Sequence, residues 1–227
     1  MSDVSTINAI GHYCGNFGPG FFGEPLNSFS NLAFVLGALY AWRKWRLNGS
    51  GDRWQLVLFA LVASIGLGSF IFHSVPTTET LWADLVPIQI FGLGLLSYVA
   101  LRYLRLSPLA TVALLLMFFF ARQFWIVLAP PGAFGGGITH VPTLLLLVVV
   151  TFLVRRKGFP FWRYAAAATV AYIAALLVRN WDLAVCLSFP WGLHWAWHIL
   201  SAFTASLLAF GIAAAPPNPA IRTSPSS

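Results

Sequence analysis

The sequence consists largely of apolar runs of about 20 residues, separated by short polar or glycine- and proline-rich breaks. An α-helix of that length crosses the ~30 Å hydrocarbon core of a bilayer. Of the 227 residues, 59% are hydrophobic and 8% are charged, whereas soluble domains carry about 25% charged residues. These features exclude a water-soluble globule. They also exclude an intrinsically disordered chain, which needs low hydrophobicity and high charge.

The apolar runs predict an all-α membrane protein with seven transmembrane helices. We expect an extramembrane N-terminal segment at residues 1–26, a transmembrane domain at 27–213 and a disordered tail at 214–227. The N-terminal segment lacks a basic region followed by an apolar core, so it does not resemble a signal peptide. The seven predicted spans are residues 27–45, 54–73, 81–103, 108–128, 140–154, 161–180 and 191–213.

The few charged residues predict the orientation of the chain. All but two of the 13 basic residues flank the first, third and fifth connections or lie in the tail. Basic residues concentrate on the cytoplasmic side of membrane proteins, so we expect the N-terminus outside and the C-terminus in the cytoplasm. All but one of the six acidic residues then lie on the outer side. The placement of basic residues on the cytoplasmic side of the membrane therefore explains the net charge of +7. No nucleic-acid partner is predicted.

The two cysteines, Cys14 and Cys186, both fall on the predicted outer side. Because that side faces an oxidising compartment, a disulfide can form between them. Two unpaired thiols are the alternative, since the sequence does not give the distance between the residues.

Three histidines form a candidate metal site near the outer ends of the predicted spans. His194 and His198 are four residues apart, so one helix face presents both imidazoles. His73 closes the second predicted span on the same side of the membrane. Three histidines with an open fourth position are a ligand set of catalytic zinc. Because ionisable residues are costly within membrane spans, we interpret this set as functional.

A carboxylate and a hydroxyl accompany these histidines. Ser69 precedes His73 by one helical turn, and Asp84 follows His73 by eleven residues, in the first turns of the third predicted span. Both are expected at the depth of the histidines, where Asp84 can accept a proton and Ser69 can donate a hydrogen bond.

Other charged residues near the spans have structural interpretations. Arg122 lies within the fourth predicted span and Arg179 at the outer end of the sixth. Either can pair with Asp182 or contact a lipid head group, and we expect a structural ion pair. Glu24 is expected to cap the start of the first span and to support the site rather than to perform chemistry.

Four motifs lie in order along nearly the whole chain. They are Glu24-Pro-Leu-Asn27-Ser-Phe-Ser30-Asn31-Leu32, Ser69-x-x-x-His73 with Asp84, Trp181-Asp182 with Cys186, and His194-x-x-x-His198. Together these motifs resemble those of the alkaline ceramidases, within the CREST superfamily of seven-span membrane hydrolases and their receptor relatives.

The resemblance implies a zinc ion held by His73, His194 and His198, with Asp84 and Ser69 beside the bound water. It also implies hydrolysis of the N-acyl bond of ceramide, or of a related lipid amide, to a fatty acid and a sphingoid base. In this mechanism Asp84 is the general base and then the general acid.

The resemblance further implies a disulfide between Cys14 and Cys186. Calcium-regulated members of the family carry several acids around the N-terminal cysteine, whereas here only Glu24 remains. Because calcium binds several oxygen ligands, we do not expect a family-type calcium site, although Glu24 stays a candidate ligand.

Two alternative functions remain open at this point. One is a lipid receptor or lipid-binding protein that keeps an inert zinc site. The other is a haem-binding electron carrier that uses membrane histidines as axial ligands. The expected partner is a ceramide-like membrane lipid, and neither the oligomeric state nor the choice between amide and ester substrates is predicted. A bacterial inner membrane with the site facing the periplasm is expected, and an organellar membrane with a lumenal site is the alternative.

Overall fold

The computed structural model describes residues 13–18, 20, 22–48, 51–130 and 133–217. Within this part of the chain all regular structure is helical, which confirms the all-α prediction. A π-helix at Val99–Tyr103 and a 3-10 helix at Ala133–His140 accompany the α-helices. The α-helices are α1 (Pro25–Ser30), α2 (Leu32–Leu47), α3 (Trp54–Ser74), α4 (Thr78–Tyr98), α5 (Pro108–Leu128), α6 (Val141–Arg156), α7 (Trp162–Val185) and α8 (His194–Ala214).

Six helical segments of the described chain are long and apolar enough to cross a membrane, so the protein is an integral membrane protein. They correspond to α3 through α8. The segment of α4 also includes the π-helix, and the segment of α6 also includes the last residues of the 3-10 helix. The first predicted span, residues 27–45, is divided between α1 and α2. Asn31 joins the two helices with helical backbone angles (φ −69°, ψ −17°), so they run on with little interruption. The count of seven spans and the orientation of the termini stay predictions.

The ends of α7 and α8 differ from the prediction. Helix α7 runs to Val185, beyond the predicted end at residue 180, and α8 begins at His194 rather than at residue 191. No glycine or proline interrupts residues 180–185, so the helix continues past the polar Asn180. Asp182 consequently lies in α7 rather than in a loop. Residues 1–12 of the predicted N-terminal segment and 218–227 of the predicted tail lie outside the described residues.

Small residues bring neighbouring helices close together. A Cβ on Gly37 of α2 would collide with the side chain of Ser206 on α8. A Cβ on Gly68 of α3 would collide with the backbone carbonyl of Ala83 on α4. Lipid tails are as apolar as the side chains, so close packing of this kind stabilises membrane helices where hydrophobic burial cannot. Ser69 and Asp84, the residues next to the second contact, are thereby brought together.

Helices α3 to α8 surround a cavity of about 250 Å³, which extends from the histidines into the apolar interior of the bundle. Helix α5 is the least buried part of its wall, since Thr111 is its one fully buried residue. Helices α2 and α8, by contrast, pack closely and contribute the buried residues Ala38, Ala41, Ala205 and Ala209 to the core.

Gly68→Ala should lower the free energy of unfolding by about 1–3 kcal/mol, because its methyl group would push α3 away from the α4 backbone. Gly92→Ala is the matched control, since a Cβ there meets no atom within 4 Å. Thermal unfolding in detergent micelles measures both variants. Equal stability of the two variants would show that the protein does not need the close contact between Gly68 and Ala83 for its stability.

Candidate metal centre

Helices α3 and α8 bring the three predicted histidines to one end of the bundle. His73 is the second-last residue of α3, His194 is the first residue of α8, and His198 lies one turn later. All three are buried, and one potential ligand atom from each lies within 4.8 Å of the other two. The described chain therefore contains a cluster of imidazoles able to hold a metal ion.

Glu24 orients the ring of His73. Its Oε2 atom lies 2.6 Å from Nδ1 of His73. The amides of Asn16 and Asn27 donate hydrogen bonds to the two oxygens of the same carboxylate, each at 3.0 Å. A carboxylate acceptor favours the tautomer with the proton on Nδ1, which leaves the Nε2 lone pair of His73 for a metal. Glu24 is the N-cap residue of α1, as predicted, but its side chain makes no capping hydrogen bond because the carboxylate binds His73 and the two asparagines.

His198 is oriented by the chain around α1. Its Nδ1 atom lies 3.0 Å from the carbonyl oxygen of Asn27 and 2.9 Å from Oγ of Ser30. The Ser30 hydroxyl also donates to the Asn27 carbonyl at 2.9 Å. Because a carbonyl oxygen can only accept, this contact favours the tautomer with the proton on Nδ1, which leaves the Nε2 lone pair of His198 for a metal. Partners of this kind commonly fix metal-binding imidazoles.

His194 is held by Tyr13 and Arg179. The Tyr13 ring stacks on the imidazole with 3.9 Å between ring centroids, and Nη1 of Arg179 lies 3.5 Å from Nδ1 of His194. Burial raises the pKa of Tyr13 above its ordinary value, so its phenol stays neutral at physiological pH. Sequence reasoning missed Tyr13, since a single aromatic residue in a polar segment carries no periodic signal.

A disulfide joins Cys14 to Cys186, with 5.6 Å between their Cα atoms, which confirms the predicted pairing. Cys14 follows Tyr13 directly, and Cys186 follows the last residue of α7. The bond therefore holds the segment that carries Tyr13 against the end of α7, beside the histidines.

Asp182 has a different role from the predicted ion pair. Its buried carboxylate accepts hydrogen bonds from the backbone N–H groups of Cys14 at 3.1 Å, Leu193 at 2.7 Å and His194 at 3.0 Å. The two latter groups belong to the start of α8, where backbone donors lack partners within the helix and a negative charge is favoured. The extension of α7 places the carboxylate there, so the expected pairing with Arg122 or Arg179 is wrong.

Ser69 and Asp84 line the cavity together with the three histidines. Ser69 is buried on α3 and Asp84 is half-buried on α4, and the close contact between Gly68 and Ala83 brings the two residues to neighbouring positions. His73 and Arg179 are close enough to act electrostatically on the same carboxylate. The structure thus brings together the five residues that the sequence predicts for the site, although it does not test their catalytic roles.

The sequence model of the ceramidase family matches residues 20–215. The chain belongs to the ceramidase family. Membership makes it a hydrolase that acts on the amide bond of ceramide, within a family that depends on a metal. Comparisons with curated proteins and with solved structures give no match. The family match contains the histidine cluster, Ser69 and Asp84, whereas Tyr13 and Cys14 precede it.

Asp182→Asn should lower the free energy of unfolding by about 2–4 kcal/mol, because an amide has one acceptor oxygen where three N–H groups converge. Asp52→Asn is the matched control, since Asp52 forms a partly exposed ion pair with Arg102, and such pairs contribute about 0–1 kcal/mol. Thermal unfolding in micelles compares the two variants. Similar small losses in both would contradict the structural role of Asp182.

Proposed function

We propose that the protein is a zinc-dependent intramembrane amidase. Its substrate is ceramide or a related lipid amide, and its products are a fatty acid and a sphingoid base. The observation that supports this proposal best is the position of three buried histidines beside Asp84, at one end of an apolar cavity. A water-activating centre and space for a lipid chain are the two requirements of such a reaction.

The donor set fits zinc, because three imidazoles in a buried, cavity-facing cluster would leave a fourth position open. His73, His194 and His198 would hold the ion. A bound zinc ion would supply a water molecule of lowered pKa and a Lewis acid for the carbonyl oxygen. Glu24 and Asn27 hold two of the rings in the required tautomer through their Nδ1 atoms.

Asp84 is the proposed proton carrier. Its carboxylate accepts a proton from the attacking water, and the water oxygen forms a bond to the amide carbon. When the carbon–nitrogen bond breaks, Asp84 returns the proton to the leaving amine nitrogen. The Ser69 hydroxyl lines the same cavity as Asp84. With substrate bound, it is in position to donate a hydrogen bond to the developing oxyanion.

The cavity supplies binding energy and excludes water. Beyond the histidines its wall is made by apolar side chains from several helices, among them Phe34, Leu95, Leu147, Phe161 and Leu208. An acyl chain lying along this wall would place its amide carbonyl at the polar end. A pre-formed apolar pocket with few polar groups is the usual form of a lipid-binding site.

We further propose that the site faces the outer side of the membrane, which is the periplasm in a bacterial inner membrane and the lumen in an organelle. The Cys14–Cys186 disulfide lies at the same end of the bundle as the histidines, and disulfides persist in oxidising compartments. The basic residues that flank the opposite ends of the helices agree with this orientation.

Family membership favours hydrolysis over the receptor and electron-carrier alternatives. Purified protein distinguishes the three functions. A hydrolase releases fatty acid from an N-acyl lipid, a receptor binds zinc and lipid without turnover, and a haem protein shows a Soret absorption band. A matched ester substrate tests whether the reaction is restricted to amides.

His73→Ala should remove both the metal and the hydrolysis, because it deletes one of three ligands. Metal analysis of the purified protein should fall from about one zinc ion per chain to a trace, and release of fatty acid from ceramide should stop. Asp52→Asn, on an exposed ion pair, should retain both properties. Full zinc content and full turnover in His73→Ala would reject the proposed metal centre.

Asp84→Asn should separate metal binding from chemistry. The amide cannot accept the proton of the attacking water, so kcat should fall by about 10²–10⁴-fold. Zinc content should stay as in the wild type, since Asp84 is not one of the three ligands. Steady-state hydrolysis and metal analysis on the same preparation measure both quantities. Unchanged kcat would exclude Asp84 as the proton carrier.

A further inference from the structure

Two arginines face the cavity, and among the described residues neither has a carboxylate at ion-pair distance. Arg122 of α5 and Arg179 of α7 both line the cavity, and both lie within candidate membrane spans. In the described part of the chain, the carboxylates at ion-pair distance from a basic side chain are Glu24, beside His73, and Asp52, beside Arg102. A cation within a membrane span is costly, so one without a counter-ion marks a position where a ligand supplies the negative charge.

The guanidinium of Arg179 is held in place but not fully hydrogen-bonded. It lies over the ring of Trp197 at 5.1 Å and over that of Tyr13 at 5.8 Å, and one of its nitrogens approaches His194. Its Nε atom is buried and has no hydrogen-bond partner among the described residues. An unsatisfied buried donor is unfavourable, and an oxygen of a bound ligand would satisfy it.

Arg122 shares surroundings with Arg179. Both line the cavity, Arg122 from α5 and Arg179 from α7. The Trp197 ring beneath Arg179 packs against His140 and Tyr172, the two residues on which both arginines act electrostatically. The centroids of the His140 and Trp197 rings are 4.9 Å apart. Arg179 also acts electrostatically on the carboxylate of Asp84, although the two side chains are farther apart than an ion pair. The proposed reaction already assigns that carboxylate to proton transfer.

We propose that Arg122 and Arg179 together bind an anionic group carried by the lipid in the cavity. Two sources share this chemistry, namely the carboxylate of the released fatty acid and an acidic head group on the lipid substrate. The first source rests on the proposed amidase function, since that reaction produces the carboxylate. Planar guanidinium groups suit carboxylate and phosphate oxygens because they donate two parallel hydrogen bonds.

Equilibrium binding tests this site independently of turnover. Radiolabelled palmitate and the uncharged hexadecanol are bound to the purified protein in micelles, and Arg122→Gln is compared with the wild type. We expect palmitate to bind roughly 10–100-fold more weakly to Arg122→Gln and hexadecanol to bind equally to both. Arg122→Lys should recover part of the palmitate affinity. Arg163→Gln is the matched control, since Arg163 is exposed and lies outside the cavity.

The proposal fails if Arg122→Gln binds palmitate as tightly as the wild type does. It also fails if palmitate and hexadecanol lose affinity equally, since that result indicates a damaged cavity. If the wild type hydrolyses no lipid amide, the amidase proposal fails, while a selective loss of palmitate still supports the arginine site.

Kinetics then distinguish the two sources of the anion. If the site holds the product carboxylate, Arg122→Gln raises the inhibition constant of palmitate by a larger factor than it lowers kcat/KM for neutral ceramide. If the site holds a substrate head group, Arg122→Gln lowers kcat/KM for an N-acyl lipid with a phosphate head group relative to its neutral counterpart. If neither quantity changes, the site has no part in turnover and the proposal is overturned.

Discussion

The arrangement of the site depends on the carboxylate of Asp182. This one side chain binds the N-terminal segment at Cys14 and the first backbone donors of α8 at Leu193 and His194. These donors lie at the edge of a low-dielectric region where water cannot replace the carboxylate, so a charged acceptor is strongly favoured. The interaction sets where α8 begins and therefore where the face carrying His194 and His198 points.

The partners of all three histidine rings lie outside α3 and α8, the helices that carry the rings. His73 is oriented by Glu24 just before α1, His198 by the Asn27 carbonyl within α1, and His194 by Tyr13 and Arg179. Polar groups in a bilayer must find their partners within the protein. The short helix α1 thus acts as part of the site, although it contributes no ligand itself.

The sequence predicted those features of the structure that depend on patterns of neighbouring residues. Hydropathy located the long helices, and helical spacing placed His194 beside His198 and Ser69 beside His73. Contacts between distant parts of the chain were harder to predict. The roles of Tyr13 and Asp182 arise from segments far apart in sequence, and neither residue belongs to a periodic pattern. The predicted end of α7 at the polar Asn180 is wrong, because no residue there breaks a helix.

The distribution of the histidines over α3 and α8 affects biosynthesis. A nascent chain carries only His73 of the cluster until its last membrane helix has been made, because His194 and His198 lie at the start of α8. Cys186 likewise emerges long after Cys14. The ring partners of His73 and His198, Glu24 and Asn27, are synthesised first. The early chain therefore contains groups that orient the rings but only one of the three histidines. The three-histidine cluster therefore cannot assemble before synthesis has reached α8.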